Sequence, residues 1–226
     1  MPSRVERFFD LTLGAGALSF GQFTLKSGRV SPYFFDLGRI QNGSAIAELG
    51  ELYAATLMET GWLADCLYGP AYKGIPLVVS TAIALSIHYA NTLPYAFNRK
   101  ESKDHGEGGR VIGGPLKGRI ILIDDVITAG TAIQESVAVI QAASARATGV
   151  IVALDREERG RGAHSAIEEV RRAHGLTVTA IATLSDLMHY LSGQRRWKET
   201  RQMLAQYRAH YGVGSAAPTS ESAEGT

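Results

Sequence analysis

The sequence predicts an α/β protein with a doubly wound, mostly parallel sheet and helices on both faces. Apolar, β-branched runs such as Ile120–Ile123 are typical of strands buried on both faces. Segments with helical spacing separate these runs, and turns rich in glycine, proline or threonine join them. From residue 65 to residue 182 the two kinds of segment alternate, as repeated βαβ units require.

The individual elements follow from local patterns. The helix over 44–60 has the clearest boundaries, because Ser44 can cap its start and Gly61 can end it. The other predicted helices cover 2–18, 74–90, 131–144 and 163–174, with one or two more between 184 and 211. The predicted strands cover 65–69, 94–98, 119–124, 148–154 and 177–182, after a hairpin over 23–37.

The composition narrows the class of protein. With 226 residues and 45% hydrophobic content, residues 1–211 are predicted to form one domain around one substantial core. A formal charge of +1 gives no indication of nucleic-acid or membrane partners. The single cysteine, Cys66, excludes a disulfide framework and is expected in the core.

The chain ends give two further expectations. The first residues lack the apolar stretch of a secretory signal, and the longest apolar run, 75–87, is too short to span a bilayer. We therefore expect a cytoplasmic protein. Residues 212–226 are small and polar, so we expect them to form a disordered tail.

The strongest functional signal lies between residues 119 and 132. A buried strand ends on Asp124 and Asp125, and a turn from Thr128 to Thr131 leads into a helix. Ligands of open α/β sheets bind at this end of the strands. Backbone N–H groups, two threonine hydroxyls and the positive end of the helix converge there, and Gly130 lets the backbone approach closely. The turn therefore suits a phosphate group.

The two aspartates indicate which phosphate ligand this turn binds. A P-loop has a lysine after its last glycine, and this turn has none. Two carboxylates repel a phosphate unless they hold hydroxyls, a metal or a developing cation, and a ribose 5-phosphate supplies the hydroxyls. The alternative is an ordinary turn with two solvated aspartates. With its Thr-Ala-Gly-Thr turn, the stretch resembles the phosphoribosyl pyrophosphate (PRPP) signature of type I phosphoribosyltransferases.

A second loop at a strand end, Gly69–Pro76, also suggests an anion site. Glycines and Pro70 shape the turn, and a helix start offers N–H donors beside the Lys73 ammonium. The alternative without a binding function is an ordinary strand-to-helix turn with a surface lysine. A second anion site beside the first would suit a pyrophosphate, which favours the functional interpretation.

The segment 98–112 predicts a mobile lid. It contains no apolar residue over 99–109 and concentrates four basic side chains, followed by three glycines. Composition alone would indicate a solvated loop, but cationic, glycine-hinged loops of this length often close over anionic ligands. The basic residues are Arg99, Lys100, Lys103 and His105.

Two further segments suggest a site for a flat, charged heterocycle. Phe34 and Phe35 offer an aromatic and backbone platform, although a core hairpin is the plainer interpretation for Phe35. Arg156 follows a strand and could pair bidentately with a planar carboxylate. The neighbouring Arg159 and Arg161 are expected to be solvated.

Taken together and in order, these segments resemble the orotate phosphoribosyltransferases from about residue 5 to about residue 211, with no departure at a motif position. The resemblance implies the type I phosphoribosyltransferase fold with a small N-terminal hood, mainly over 18–40. It also implies transfer of ribose 5-phosphate from PRPP to orotate with Mg²⁺, and a homodimer whose lid residues reach the neighbouring subunit. The PRPP-binding residues it implies are Lys26, Tyr72, Lys73, Arg99, Lys100, Lys103, His105, Asp124, Asp125, Val126, Ile127, Thr128, Ala129, Gly130, Thr131 and Ala132. The orotate-binding residues it implies are Phe34, Phe35, Thr128 and Arg156.

The chemistry expected of these residues is charge placement. Loss of pyrophosphate leaves an oxocarbenium-like ribose, so cations such as Lys103 would stabilise the leaving group and Asp125 the ribose. We expect Mg²⁺ to be carried on PRPP, with no direct protein ligand and with Asp124 and Asp125 reaching it only through water. The alternatives are a phosphoribosyltransferase for another base and a non-catalytic PRPP-binding regulator.

Overall fold

The central sheet has six strands among the described residues. The computed structural model describes residues 2–25, 27–100, 111–128, 130–160 and 164–213. The strands of the sheet are β3 (Cys66–Gly69), β4 (Tyr95–Asn98), β5 (Val111–Gly113), β6 (Arg119–Asp124), β7 (Arg146–Asp155) and β8 (Thr177–Thr183), and β1 (Leu18–Thr24) and β2 (Val30–Phe35) form a separate hairpin. The helices are α1 (Arg4–Gly14), α2 (Gly43–Thr60), α3 (Gly74–Tyr89), α4 (Thr131–Ala142), α5 (Ala166–His174), α6 (Leu184–Tyr190) and α7 (Lys198–Tyr211).

The order of the strands places a switch point in the middle of the sheet. The order is β5-β4-β3-β6-β7-β8, and every pair is parallel except β4 with β5. From β3 the chain proceeds outward to β4, and from β6 it proceeds in the opposite direction to β7. The loops that leave β3 and β6 therefore diverge at the carboxyl edge, where open α/β sheets bind their ligands.

The sheet separates two hydrophobic cores, as the alternation of side chains along its strands requires. Leu67 and Ile121 face the core that contains the buried residues of α1, α2 and α3. Cys66 and Ile120 face the other core, under α4 and α5. Cys66 is fully buried, as expected, and burial raises the pKa of its thiol to about 11.

The hairpin β1–β2 lies in the region of the predicted hood. It pairs antiparallel and packs through Tyr33 and Phe35 onto the core of α1 and α2. Helix α7 packs against β2, and the Tyr33 and Tyr207 rings meet edge to face at 6.2 Å. The hood is thus fixed to the body of the domain at the end of the sheet where the site is expected.

Several boundaries differ from the sequence prediction, including the start of the hairpin, which is at Leu18 and not at residue 23. Helix α2 begins one residue earlier, with Asn42 rather than Ser44 as its N-cap, and the Ser44 hydroxyl donates to the Asn42 side chain instead. Helix α1 covers only Arg4–Gly14, with a capping box from Ser3 to Glu6. The short strand β5 was not predicted, since three residues after a glycine-rich loop carry too weak a pattern. None of the described helices has both the length and the apolar content to cross a membrane.

Candidate functional site

The candidate site lies at the carboxyl edge, where the loops after β3 and β6 meet. The Lys73 ammonium of the first loop donates to Asp125 Oδ2 of the second at 2.9 Å. It also donates to Asp36 Oδ1, which follows β2 in the hood, at 3.0 Å. One side chain therefore joins the hood to both predicted anion-binding loops.

The charges in this bridge shift one another's pKa. Partial burial lowers the pKa of Lys73, but its ion pairs with Asp125 and Asp36 outweigh that effect and raise it. The hydrogen bond from Lys73 lowers the pKa of Asp36. Asp36 was missed by the sequence analysis, because an aspartate after an aromatic strand carries no local signal of a lysine 37 positions away.

The two aspartates at the end of β6 have different surroundings. Asp124 is buried, with 7% of its surface exposed, and its Oδ1 accepts a hydrogen bond from the Asp125 backbone. The buried Tyr53 hydroxyl donates to the Asp124 carbonyl at 2.7 Å. Burial, together with the nearby Asp125 carboxylate, raises the pKa of Asp124 to about 7. Asp125 is the more accessible partner and holds the Lys73 charge.

The turn between β6 and α4 leaves its helix without a side-chain cap. Gly130 occupies the N-cap position with a φ of 72°, a left-handed conformation that favours glycine. Thr128 and Thr131 are exposed, while Ala129 lies outside the described residues. By contrast, four helices receive a side-chain hydrogen bond at their N-terminus, namely α1, α2, α5 and α6. An uncapped N-terminus at a strand end is available to an anion.

The loop after β3 differs from the sequence prediction in its donors. We expected free N–H groups at the start of α3, but the N–H groups of Gly74 and Ile75 donate to the Pro70 and Tyr72 carbonyls. The next residue, Pro76, has no N–H group. The start of α3 therefore offers no free donor in its first three residues, and the Lys73 ammonium is the main cationic group of this loop.

The same loop is fixed to the neighbouring strand. The Ala71 N–H donates to the Asn98 side chain at 2.8 Å, and the Ala71–Tyr72 peptide bond is cis. A Cβ atom on Gly69 would overlap the Gly74 carbonyl, so the glycine permits this tight turn. Tyr72 is 63% exposed, which leaves its ring accessible at the edge of the site.

The predicted lid begins and ends at paired residues. Asn98 of β4 pairs with Val111 of β5, so both ends of the segment are held together at the edge of the sheet. Lys100 lies near the site, with its Nζ atom 4.9 Å from the centre of the Tyr72 ring. Arg99 is half-buried beside it. Lys103 and His105 lie outside the described residues, as does Lys26 of the hood.

The loop after β7 presents Arg156 in a firmly held position. Its guanidinium pairs with Glu158 at 2.7 Å and lies 4.2 Å from the centre of the Tyr33 ring. Arg159, which we expected to be solvated, instead donates to the His210 carbonyl at the end of α7, while Arg161 lies outside the described residues. The Glu158 contact was missed because the charge-rich sequence around it has the pattern of a solvated loop.

The two predicted aromatic residues of the hood lie on opposite faces of β2. Phe34 is 42% exposed, and its ring lies 5.5 Å from that of Phe23. Phe35 is in the core against Phe8, so only its backbone can contact a ligand. Adjacent strand residues point to opposite faces, so the Phe34–Phe35 pair cannot form a platform from two side chains.

The residues suit a metal carried by the ligand. No group of three or more histidine, cysteine, aspartate or glutamate side chains in the described ranges is arranged to hold a metal ion. Asp124 and Asp125 nevertheless provide two carboxylates beside the phosphate turn. Oxygen donors of this kind, in small number, suit Mg²⁺, which keeps several waters and shares its ligands with phosphates.

Comparison with known proteins agrees with this arrangement. Residues 36–169 match the model of the phosphoribosyl transferase domain. An orotate phosphoribosyltransferase of Edwardsiella ictaluri (strain 93-146) is 53% identical over 213 residues, which covers 94% of this chain and 100% of that protein. The orotate phosphoribosyltransferase of Thioalkalivibrio sulfidiphilus (strain HL-EbGR7) is also 53% identical over 213 residues, with the same coverage of 94% and 100%. A crystal structure of the Francisella tularensis orotate phosphoribosyltransferase has a TM-score of 0.81 at 36% identity, and covers 91% of this chain and 98% of that one.

Proposed function

The chain belongs to the orotate phosphoribosyltransferases, and on this premise we propose which of its residues carry out the reaction. The reaction transfers ribose 5-phosphate from PRPP to N1 of orotate, giving orotidine 5′-monophosphate and pyrophosphate in pyrimidine biosynthesis. The observation that carries the assignment of residues is the Lys73–Asp125 ion pair. Through this pair, the loop after β3 and the loop after β6 are in direct contact at the switch point.

The phosphate and ribose of PRPP occupy the loop after β6 in this proposal. The uncapped start of α4 and the exposed hydroxyls of Thr128 and Thr131 support binding of the 5-phosphate. Asp124 and Asp125 accept the ribose hydroxyls. A hydroxyl that donates to the buried Asp124 also favours its ionised form over the protonated one. We assign the whole run 124–132 to binding of this end of the substrate.

The pyrophosphate of PRPP occupies the loop after β3. To bind it, Lys73 exchanges its carboxylate partners for phosphate oxygens, while Tyr72 contributes the exposed edge of the same loop. Lys26, Arg99, Lys100 and His105 add positive charge from the hood and the lid. Mg²⁺, which we propose is carried on PRPP, would neutralise further charge on the departing group.

Catalysis proceeds by placing charge around a dissociating bond. As the bond from ribose C1 to pyrophosphate breaks, positive charge develops on the ribose. N1 of orotate forms the new bond to C1 and loses its proton, which the released pyrophosphate or water accepts. Asp125 stabilises the positive ribose, and Lys103 stabilises the leaving pyrophosphate from the closed lid. The lid also excludes water, which would otherwise compete with orotate.

Orotate occupies the side of the site under the hood. The Arg156 guanidinium pairs with its carboxylate. Thr128, the Phe34 ring and the Phe35 backbone complete the pocket in this proposal. The exposed Phe34 ring supports a stacking role, whereas the buried Phe35 ring restricts that residue to backbone contacts.

A homodimer fits one surface of the molecule. Ile83 and Ile87 of α3 are 54% and 69% exposed, and Ile83 lines an apolar groove of about 560 Å³ that reaches Tyr95 and Gly113. Because β5 follows directly from the lid, a second copy bound here would lie next to the lid. Sedimentation velocity tests this: Ile83→Glu should give monomers and Met203→Glu, on α7, should not. An Ile83→Glu variant that stays dimeric would contradict it.

We also propose a cytoplasmic location.

The activity and the substrate assignment are tested together by the ultraviolet absorbance of orotate. Purified protein with PRPP and Mg²⁺ should consume orotate, and a matched reaction without PRPP should not. Omitting Mg²⁺ from the first reaction tests the metal requirement. Persistent orotate in the complete reaction, with PRPP binding still seen by calorimetry, would contradict the base assignment while leaving the PRPP site intact.

A further inference from the structure

Arg156 is held in one orientation by a single carboxylate. Its Nε atom donates to Glu158 Oε1 at 2.8 Å, and its Nη2 atom lies 2.7 Å from the same oxygen. Nη2 also donates to Ser31 Oγ at 3.2 Å. The face of the guanidinium rests on the Tyr33 ring. The Tyr207 hydroxyl also lies close to the guanidinium. None of the hydrogen bonds given above uses Nη1.

Glu158 is in turn held from three directions. Its Oε2 lies 3.7 Å from Arg29 Nη1 of the hood, and its Oε1 accepts a hydrogen bond from the Tyr33 hydroxyl at 3.4 Å. Its backbone forms a β-bridge with Gly212, beyond the end of α7. Only 13% of the Glu158 side chain is exposed, the same fraction as for Arg156. The pair is therefore shielded from solvent. A charged hydrogen bond of fixed geometry is stronger in such a place than at the surface.

Arg29, in the hood, is hydrogen-bonded to the loop after β7. It donates from Nη1 to the Arg159 carbonyl at 2.9 Å and from Nη2 to the Gly160 carbonyl at 3.3 Å. Its guanidinium lies 5.0 Å from the centre of the Tyr211 ring. The carboxylate of Glu158 thus belongs to a network that joins the hood, the loop after β7 and the end of α7.

We propose that Glu158 is a positioning residue for base recognition, which fixes Arg156 so that the guanidinium is ready to meet the carboxylate of orotate. This inference rests on the proposed role of Arg156. A free arginine side chain loses rotamer entropy when it binds, and a guanidinium already held in place loses less. Glu158 therefore acts on orotate affinity through Arg156, without contacting orotate.

The first test compares substitutions of Glu158 by steady-state kinetics with orotate and PRPP varied separately. Glu158→Ala should raise KM for orotate about tenfold or more and leave KM for PRPP within about twofold. Glu158→Gln keeps an acceptor oxygen and should recover part of the loss. Glu168→Ala is the matched control, because Glu168 also pairs with an arginine at 3.0 Å, but on the exposed surface of α5.

A double-mutant cycle with Arg156→Ala separates positioning from a general structural role. If Glu158 acts through Arg156, adding Glu158→Ala to Arg156→Ala should raise KM for orotate no further. An equal rise in both backgrounds, or a joint rise of both KM values, would overturn the inference. The Glu158→Gln variant, which removes only the charge, provides the same comparison if the alanine variant does not fold.

The two proposals fail in different ways. If Arg156→Ala raises KM for orotate and Glu158→Ala does not, the positioning role is wrong and the assignment of Arg156 remains. If Arg156→Ala leaves KM for orotate unchanged, the assignment of Arg156 is wrong, and the positioning role is wrong with it.

Discussion

After β6 the chain turns through Gly130 into a helix that no side chain caps, whereas after β7 it turns through Glu157, whose backbone and carboxylate are both hydrogen-bonded. In the second turn, the Glu157 N–H donates to Asp155, and the Glu157 carboxylate accepts from both the backbone and the hydroxyl of Ser185. The Glu157 carbonyl accepts from the N–H of Val213. These two loops lie on neighbouring strands at the same edge of the sheet.

The difference follows from what each loop presents. A loop that binds phosphate through its backbone keeps N–H groups free and relies on glycine for its shape. A loop that presents one side chain needs its own polar groups bonded, so that the side chain is held still. In the proposed site the first loop serves the phosphate and the second serves the base.

The largest expected effect comes from Asp125→Asn, which removes the charge that pairs with Lys73 and that we propose faces the ribose. We expect kcat/KM for PRPP to fall on the order of 100-fold or more, with a small change in stability. Asp65→Asn is the control, since Asp65 pairs with Arg119 at 2.9 Å at the opposite edge of the sheet. Steady-state kinetics of both variants checks this. An equal loss of kcat/KM in Asp125→Asn and Asp65→Asn would contradict the assignment.

A smaller effect is expected from Gly130→Ala in the phosphate loop. The φ of 72° strains any side chain, and the new Cβ would lie 3.1 Å from Val170 Cγ2. We expect a stability loss of about 1–2 kcal/mol and a rise of about tenfold in KM for PRPP. Gly175→Ala has a similar φ of 64° with no atom within 4 Å, so it should lose stability without a change in KM. Equal kinetics for the two variants would show that the loop does not bind phosphate.

The burial of Asp124 predicts a dependence of stability on pH. Its pKa is raised from 3.8 to about 7, so the folded state retains a proton that the unfolded state has lost. Below about pH 4 this difference in pKa makes its full contribution to the free energy of unfolding. The contribution is lost as the pH rises to about 7. Asp124→Asn cannot ionise, so its stability should match wild type near pH 4 and exceed it by a few kcal/mol at pH 8. Urea unfolding at both pH values checks this, and a variant less stable than wild type at pH 8 would contradict it.

The smallest effect is expected in the loop after β7. Ser185→Ala removes the hydroxyl that donates to Glu157 at 2.6 Å but leaves the backbone donor. We expect a stability loss of about 1 kcal/mol and no change in KM for either substrate. Ser192→Ala, at an exposed position after α6, is the control. A rise in KM for orotate with Ser185→Ala would show that the loop is less rigid than its bonds indicate.

The sequence predicted the elements whose signals are local. Buried β-branched runs marked the central strands, and glycines and threonines after them marked the phosphate turn, so β6 was predicted with its observed bounds. The alternation of strands and helices also predicted a mostly parallel sheet, but it did not give the order of the strands, which only the structure shows. The two loops predicted for PRPP are indeed brought together, by the contact between Lys73 and Asp125.

The residues that hold others in place could not be predicted. Arg156 contacts Ser31, 125 positions earlier, and Lys73 contacts Asp36, 37 positions earlier. Such pairs depend on how the hood packs against the sheet, and a single sequence shows only charged residues in loops. The free donors expected at the start of α3 were likewise lost to carbonyls of the preceding turn, a detail of backbone geometry that composition does not show.

The bridge between the loop after β7 and residues beyond α7 bears on the order in which the site forms during synthesis. A nascent chain that has reached residue 200 already contains both loops proposed for PRPP. It lacks the Tyr211 carbonyl that accepts from Arg159 and the Val213 N–H that donates to Glu157. Because chains emerge from the ribosome amino end first, the half of the site proposed for orotate receives its last hydrogen bonds only after these residues have been made.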